Sequence, residues 1–212
     1  MNQFSPYLFG ARYLNDVNAQ YLSSGGQAQV AQNLNYTAML GQKISLGVDE
    51  AAQFTNPSTT GYTTSTLLQP GEYQLVKLKS SLTITPARGL IVWWDAAADP
   101  NSFIVTTDAP VSTGGRLAGV LLNAGTAGYY VWIQVSGAPY VKGKASLATT
   151  AAKDQVLIVD TATATVNNVA ATTALTVDNI NLVIGQAADL PVAATLKRVH
   201  IGAKPIVVSG LQ

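Results

Sequence analysis

Short apolar runs separated by turn-forming residues are the feature that most constrains how this chain can fold. The clearest example starts with an apolar run at residues 117–122, passes through a small-residue turn containing Gly125 and Gly128, and ends in an alternating run at residues 129–135. Glycine accepts the positive φ angles of tight turns, and strict alternation is typical of a strand with two different faces. The sequence therefore predicts a β-hairpin. The residues expected on the buried face of its second strand are Val131, Ile133 and Val135.

Similar runs occur on both sides of this hairpin. Pro70 and Gly71 take the central positions of a predicted type II turn, after which the strand pattern begins. Strands that recur about every ten residues between turn signals are typical of a sandwich or barrel. We therefore expect an all-β protein, with an antiparallel β-sandwich or barrel-like domain. The other predicted strands cover residues 73–78, 82–85, 90–94, 103–107, 155–159, 162–166, 174–177, 182–184, 198–201 and 205–209.

The first third of the sequence lacks this pattern. Residues 1–66 are interpreted as an N-terminal arm and linker, and residues 67–212 as the β domain. Two structures are compatible with the arm. Apolar side chains at every fourth position favour a short helix, whereas a glycine and several Asn and Asp residues favour an extended arm whose aromatics dock on a neighbour. The helical stripe would consist of Phe9, Tyr13, Val17 and Tyr21.

The β domain itself is divided by composition into residues 67–144 and an Ala-, Thr- and Val-rich part at residues 145–212. Within the second part, residues 184–187 and 199–202 weakly echo the hairpin at residues 117–137. A single echo of this kind does not define an internal repeat.

The composition excludes several classes of function. Charged residues make up 11% of the chain, the net charge is +1, and there is no cysteine. The sequence lacks the dense basic stripe that is typical of nucleic-acid binding. The absence of cysteine excludes disulfides and thiolate metal sites. No signal peptide or membrane span is visible, so we expect synthesis in a cytoplasm and no membrane partner. So few charges, with a mean hydropathy of +0.22, favour a protein whose surface is partly covered by neighbours.

The residues that could support catalysis are few. His200 is the single histidine, and it lies in an alternating run that predicts a position on a strand surface. Asp95, Asp99 and Asp108 offer oxygen ligands that suit Ca²⁺ or Mg²⁺, but their spacing matches no EF-hand and Asp99 precedes a typical Pro-Asn turn. We therefore expect no enzymatic activity, no cofactor and no metal site.

Two stretches resemble known proteins. The sequence AGVLLNAGTAGYYVWIQVSGAPYV, at residues 118–141, resembles a segment recurrent in virion proteins of tailed bacteriophages, in a group related to small capsid decoration (cement) proteins. The sequence GLIVWWDAAADPNSFIVTTDAPV, at residues 89–111, resembles the same group through its Trp-Asp strand end and its Phe-Ile-Val-Thr-Thr strand. The resemblance covers residues 89–142 and contains no catalytic signature.

This resemblance implies a virion structural protein on the capsid surface, made in the cytoplasm of a bacterial host. Its expected partners are the major capsid protein and sister subunits, with a trimer favoured because related proteins often occupy three-fold positions. The alternative is a head- or tail-fibre protein that recognises the host, for which residues 145–212 would be the receptor module. The candidate contact residues are aromatic, as is common at interfaces, and they are Phe4, Tyr7, Phe9, Tyr13, Trp94 and Trp132.

Overall fold

The computed structural model describes residues 40–48, 69–108, 116–122, 124–145, 156–168, 183–188 and 196–201. Eleven strands form within these residues, and no α-helix is among them, so the expected all-β class is confirmed. Within these described ranges, one 3-10 turn interrupts the strands. The strands are β1 (Lys43–Leu46), β2 (Gly71–Leu78), β3 (Ile91–Trp94), β4 (Ile104–Thr106), β5 (Leu117–Leu121), β6 (Tyr130–Gln134), β7 (Tyr140–Lys142), β8 (Val156–Asp160), β9 (Thr165–Asn168), β10 (Val183–Ala187) and β11 (Leu196–Ile201), and the 3-10 turn is Pro100–Ser102.

Strands β2 to β6 close into a five-stranded barrel, which we call the N-terminal unit. Its strand order is β2-β4-β3-β5-β6, and β6 pairs back onto β2. The ring can close because β2 is eight residues long and uses both of its edges. Four of the five pairings are antiparallel, whereas β2 and β4 run parallel. An entirely antiparallel domain was expected, and the parallel pair is the difference.

One further strand extends this barrel. Strand β1 pairs antiparallel with the first half of β2, from Lys43 opposite Gln74 to Leu46 opposite Gly71. It lies within residues 1–66, which the sequence analysis set apart as an arm and linker. The alternation of exposed and buried residues along β1 is regular, but four residues are too few to distinguish a strand from a loop by pattern alone.

The predicted hairpin is present as β5 and β6, which pair antiparallel with Val120 opposite Gln134. Val131 and Ile133 lie in the main hydrophobic core, as predicted, and Val135 packs against it half-buried. The opposite face of β6 is also buried: all five residues of the strand are at most 3% exposed.

Strands β7 to β11 form a curled five-stranded sheet, which we call the C-terminal unit. The order is β7-β11-β10-β8-β9. Its two ends meet at one parallel bridge between Gly143, just after β7, and Val166 in β9. The three-residue strand β7 was not predicted, since Gly137 and Pro139 in front of it indicate a turn rather than a strand.

The two units have the same topology. In each unit, the first strand has two neighbours: the fifth strand on one edge and the third strand, which runs parallel to it, on the other. The second strand lies between the third and the fourth. The strands of the two units therefore correspond one to one in order and pairing. The matched strands are β2 with β7, β3 with β8, β4 with β9, β5 with β10 and β6 with β11.

The match extends to irregular details. The fourth strand of each unit carries a register shift against the second strand, and a glycine lies at it: Gly119 in β5 and Gly185 in β10. A Cβ atom on either glycine would overlap a backbone carbonyl oxygen of the fifth strand, at Gln134 and His200 respectively. Both units thus use glycine for the same close approach between strands.

The units are joined by one continuous core and by backbone hydrogen bonds. The main hydrophobic cluster contains residues of both units, from Val76 in β2 to Ile201 in β11. Between the units, Ile91 N–H donates to the carbonyl of Ala164 at 2.9 Å, and Lys142 N–H donates to the carbonyl of Gly89 at 2.9 Å. The start of β3 is therefore inserted at the seam where β7 and β9 meet.

Other predicted strands have mixed outcomes. Residues 82–85 form an irregular connection instead of a strand, because their backbone groups bond to the side chains of Asp108 and Thr107. Residues 162–164 belong to a turn, so β9 begins later than predicted. The strands predicted at residues 174–177 and 205–209, and the candidate helix of the arm, lie outside the described residues.

Candidate interaction surfaces

Trp94 is the predicted contact residue that the described surface presents most openly. It ends β3 half-buried, and its ring meets that of Phe103 edge to face, with centroids 6.2 Å apart and planes inclined by 65°. Leu117, 36% exposed, begins β5 on the neighbouring strand. The four N-terminal candidates lie outside the described residues, and they are Phe4, Tyr7, Phe9 and Tyr13.

Phe103 has a left-handed backbone conformation, with φ of 50°. Such a conformation is unusual for a bulky residue, and backbone strain often marks a functional site. The matched residue of the C-terminal unit, Ala164, has φ of 54°. Because both copies share this conformation directly before their third strand, it follows from the topology of the unit and does not indicate function.

The three aspartates considered as an ion site do not converge. Asp95 pairs with Lys79 Nζ at 3.3 Å, and Asp99 caps the 3-10 turn by accepting from Asn101 N–H at 2.7 Å. Asp108 accepts from Thr83 N–H at 2.8 Å, and it also holds the next residue of that irregular connection. Each carboxylate thus has its own structural partner. Within the described part of the chain, no group of three or more metal-ligating side chains occurs.

An ion pair recurs at matched positions of the two units. Lys79 with Asp95 corresponds to Lys144 with Asp160. Asp95 also accepts from Ala97 N–H, and Asp160 accepts in the same way from the N–H two residues on. Burial acts to raise the pKa of Asp160, but the hydrogen bond and charge of Lys144 and the N–H of the turn outweigh it, so this pKa lies below its usual value. In each unit, the ion pair therefore links the chain at the end of the first strand to the turn that follows the second strand.

An open cleft of about 660 Å³ lies between the units. Its N-terminal wall is mainly apolar and includes Ile84, Ala87 and Leu90, while Lys142 and Thr163 contribute polar groups from the C-terminal unit. Lys144, the remaining cation of the cleft, is held by Asp160. Among the described residues, Lys142 makes no ion pair, so the cleft offers one such lysine beside an apolar wall. This is too little to define the chemistry of a ligand.

A second apolar cluster lies on the outside of the N-terminal unit. In the β2–β6 pairing, Leu75 is directly opposite Trp132, on the side away from the main core, and Ile44 of β1 is opposite Tyr73. The members are at most 4% exposed, and none belongs to the main core cluster. We call this cluster the outer apolar face. It consists of Ile44, Leu46, Tyr73, Leu75, Tyr130 and Trp132.

The two polar groups considered on this face, those of Tyr73 and Trp132, differ in whether they form hydrogen bonds. The hydroxyl of Tyr73 donates to the Gln69 carbonyl and accepts from Gln69 N–H at 3.0 Å, and burial raises the pKa of this phenol far above its usual value. The indole Nε1–H of Trp132, in contrast, is buried and has no hydrogen-bond acceptor among the described residues. Buried donors are rarely left unpaired, since each costs about 1–3 kcal/mol.

The matched face of the C-terminal unit is different in character. Arg198 stands where the N-terminal unit has Trp132, and it is exposed, as is His200 on the same strand. Tyr140 and Leu196, which match Leu75 and Tyr130, are half-buried. The exposed position of His200 on a strand agrees with its prediction as a surface residue. The apolar face is thus a property of the N-terminal unit and not of the topology.

Sequence patterns did not reveal the outer apolar face. Trp132 was recognised as an aromatic contact candidate, but β1 was not predicted, and the pairing of β2 with β6 connects residues far apart in the chain. Among the described residues, no helix is long and apolar enough to span a bilayer. No family model matches the sequence, and no curated protein matches it.

Proposed function

We propose that the chain is a non-enzymatic structural protein of a tailed-phage virion, which binds the capsid exterior as a decoration or cement protein. The observation that carries the proposal is the sequence resemblance at residues 89–142. Those residues include β3 to β7, which complete the barrel and carry the chain into the C-terminal unit. The resembling segment is therefore the structural centre of the molecule and not a peripheral loop.

The mechanism is mechanical. Two β units that share one core form a body that resists deformation, because cores packed at crystal-like density transmit strain. Such a body, bound across neighbouring capsid subunits, adds contacts that only the mature shell offers. By mass action, these contacts stabilise the mature shell over its precursor. A trimer would present three such bodies around a three-fold position.

The contacts are assigned to two places. The aromatic residues of the arm, residues 1–24, dock on the major capsid protein first and on a sister subunit second. On the described body, Trp94 is the candidate, because it is half-buried beside Phe103 at a strand end while the other two tryptophans are at most 3% exposed. A half-exposed tryptophan supplies contact area at little entropic cost.

The proposal is tested by sedimentation of the purified full chain with expanded capsids and with unexpanded procapsids of the encoding phage. We expect the chain to sediment with expanded capsids only. Trp94→Ala should weaken that binding at least about tenfold, as interface tryptophans do. Val48→Ala, at a residue 72% exposed, is the matched control and should leave binding unchanged. Binding to host cells without binding to capsids would reject the proposal in favour of the fibre alternative.

A further inference from the structure

We propose that β1 is exchanged between copies of this chain, so that Lys43–Leu46 of one copy pairs with β2 of a sister copy. We call the edge of β2 that receives the strand, along Gly71–Gln74, the β1 seat. The exchange rests on the homo-oligomer of the proposed function and not on binding to a capsid. It names the contact that holds the copies together.

Strand β1 is not part of the closed barrel. Strands β2 to β6 form a ring in which β6 pairs back onto β2, and β1 lies outside that ring. The C-terminal unit has the same strand order from β7 to β11, and its described residues include no sixth strand that corresponds to β1. The topology of the ring therefore does not depend on which chain supplies β1.

The β1 seat nevertheless has to be filled. Ile44 and Leu46 are 3% and 4% exposed, and Ile44 lies opposite Tyr73, which is 0% exposed. The side-chain amide of Gln74 donates to the carbonyl of Gly41, at the entry to β1, at 3.1 Å. An empty seat would expose an apolar strand edge, and such edges associate with other strands. The seat therefore holds a β1 strand either from its own chain or from another copy.

The connection from β1 to β2 is much longer than their pairing requires. Leu46 lies directly opposite Gly71, and strands in this arrangement are commonly joined by about two to five residues. The chain instead uses residues 47–70. Connections longer than about 12–15 residues are uncommon inside a compact domain and usually have a function. Fully extended, this one spans up to about 80 Å, which is enough to reach a neighbouring copy.

The two ends of this connection differ in how they are held. Where the chain enters β2, the hydroxyl of Tyr73 bonds to both backbone groups of Gln69, and Gln134 Nε2 donates to the carbonyl of Pro70 at 3.3 Å. Where the chain leaves β1, Val48 is 72% exposed. The entry to β2 is thus fastened to the barrel, whereas the exit from β1 leads toward solvent.

Exchange leaves the contacts of the strand unchanged. In either arrangement, β1 makes the same backbone hydrogen bonds to β2 and buries the same two apolar side chains. Exchange of an identical element is for this reason a low-cost route to an oligomer. Its consequence is that each copy completes the apolar edge of another.

The test uses cysteines in the full chain, which has none of its own. Ser45 and Glu72 are exposed and lie directly opposite each other, so cysteines at these positions are close enough for a disulfide. Chains carrying Ser45→Cys and chains carrying Glu72→Cys are co-expressed, purified together and oxidised. The matched control is Lys142→Cys co-expressed with Leu196→Cys, at an opposed pair of β7 and β11.

We expect a disulfide between the Ser45→Cys chain and the Glu72→Cys chain. A non-reducing gel would show it as a species of two chains, against 22.1 kDa for one chain, and mass spectrometry would identify the joined peptides. The control should give no such species, because β7 and β11 stay within one chain. Absence of the disulfide between positions 45 and 72, or an equal yield from the control, would overturn the exchange.

The double variant Ser45→Cys/Glu72→Cys decides the question if the separate chains do not mix during assembly. Covalent species of several chains support the exchange, and a monomer with an internal disulfide rejects it. Light scattering gives the oligomeric state independently. An oligomer whose disulfides are all internal rejects the exchange and leaves the proposed function standing. Disulfides between chains in a protein that does not sediment with capsids reject the proposed function and leave the exchange standing.

Discussion

Truncating Ile133 to alanine tests whether the two units share one core. Ile133 is 0% exposed on β6 and belongs to the cluster that includes residues of both units. If the core is continuous, a cavity at this position destabilises the whole molecule and not only the barrel. The variant Ile133→Ala should therefore lower the free energy of unfolding of a single transition.

The magnitude follows from the atoms removed. The substitution deletes three buried carbons, which contribute about 0.8 kcal/mol each by transfer from water, or about 2.4 kcal/mol together. The cavity that remains adds roughly 1–2 kcal/mol if the surroundings relax only in part. We expect a loss of about 4 kcal/mol. At the matched position, Val199→Ala deletes two carbons and should cost about 2–3 kcal/mol.

The assay is urea unfolding followed by tryptophan fluorescence and by far-UV circular dichroism. All three tryptophans lie on strands of the N-terminal unit, whereas circular dichroism reports on both units. Coincident transitions with an unchanged m-value indicate one cooperative unit. Val48→Ala, at a residue 72% exposed, is the control and should change stability by less than about 0.5 kcal/mol.

Two results would refute the reasoning. A loss below about 1 kcal/mol for Ile133→Ala would mean that the side chain is not enclosed as the core cluster requires. Separate transitions for the two probes, with Val199→Ala affecting only one, would mean that the hydrophobic cluster is not continuous across the units.

Three further outcomes are expected. Asp160→Asn should lower the free energy of unfolding by about 1 kcal/mol at neutral pH, as measured by thermal unfolding. Because folding lowers the pKa of Asp160, its stabilising effect is present above the pKa of the unfolded state and is lost as the pH falls through the pKa of the folded state. The variant and the unmodified protein should therefore have the same stability in acid. Gly185→Ala should separate β10 from β11 and lower the melting temperature, because the added Cβ would overlap the carbonyl oxygen of His200. The control Ala162→Gly, in an exposed turn, should change the melting temperature little. A melting temperature for Gly185→Ala equal to that of the unmodified chain would contradict the close approach to His200. Dialysis against a chelator should leave the melting temperature unchanged, and a fall of several degrees would mean that the protein binds a stabilising ion.

The repeat could have been found in the sequence from a few polar and glycine positions. Lys79 and Lys144, Asp95 and Asp160, and Gly119 and Gly185 lie 65 or 66 residues apart. These residues recur because an ion pair and a close backbone approach each tolerate few alternatives. The buried positions between them are less alike, since a core position requires only an apolar side chain of suitable size. The single echo noticed at residues 184–202 was one part of this larger match.

The sequence by itself determined the class of the protein and the location of most strands, because alternation and turn residues are local properties of the chain. It also indicated that Val131 and Ile133 face the core. Only the tertiary structure decided that β2 and β4 run parallel, that β6 closes the barrel on β2, and that Trp132 is covered on the outside. Strand pairing depends on contacts between residues far apart in the chain. An alternating sequence indicates that a strand has two different faces, but it does not indicate which residues pack against each face. The burial of both faces of β6 was therefore decided by the rest of the molecule.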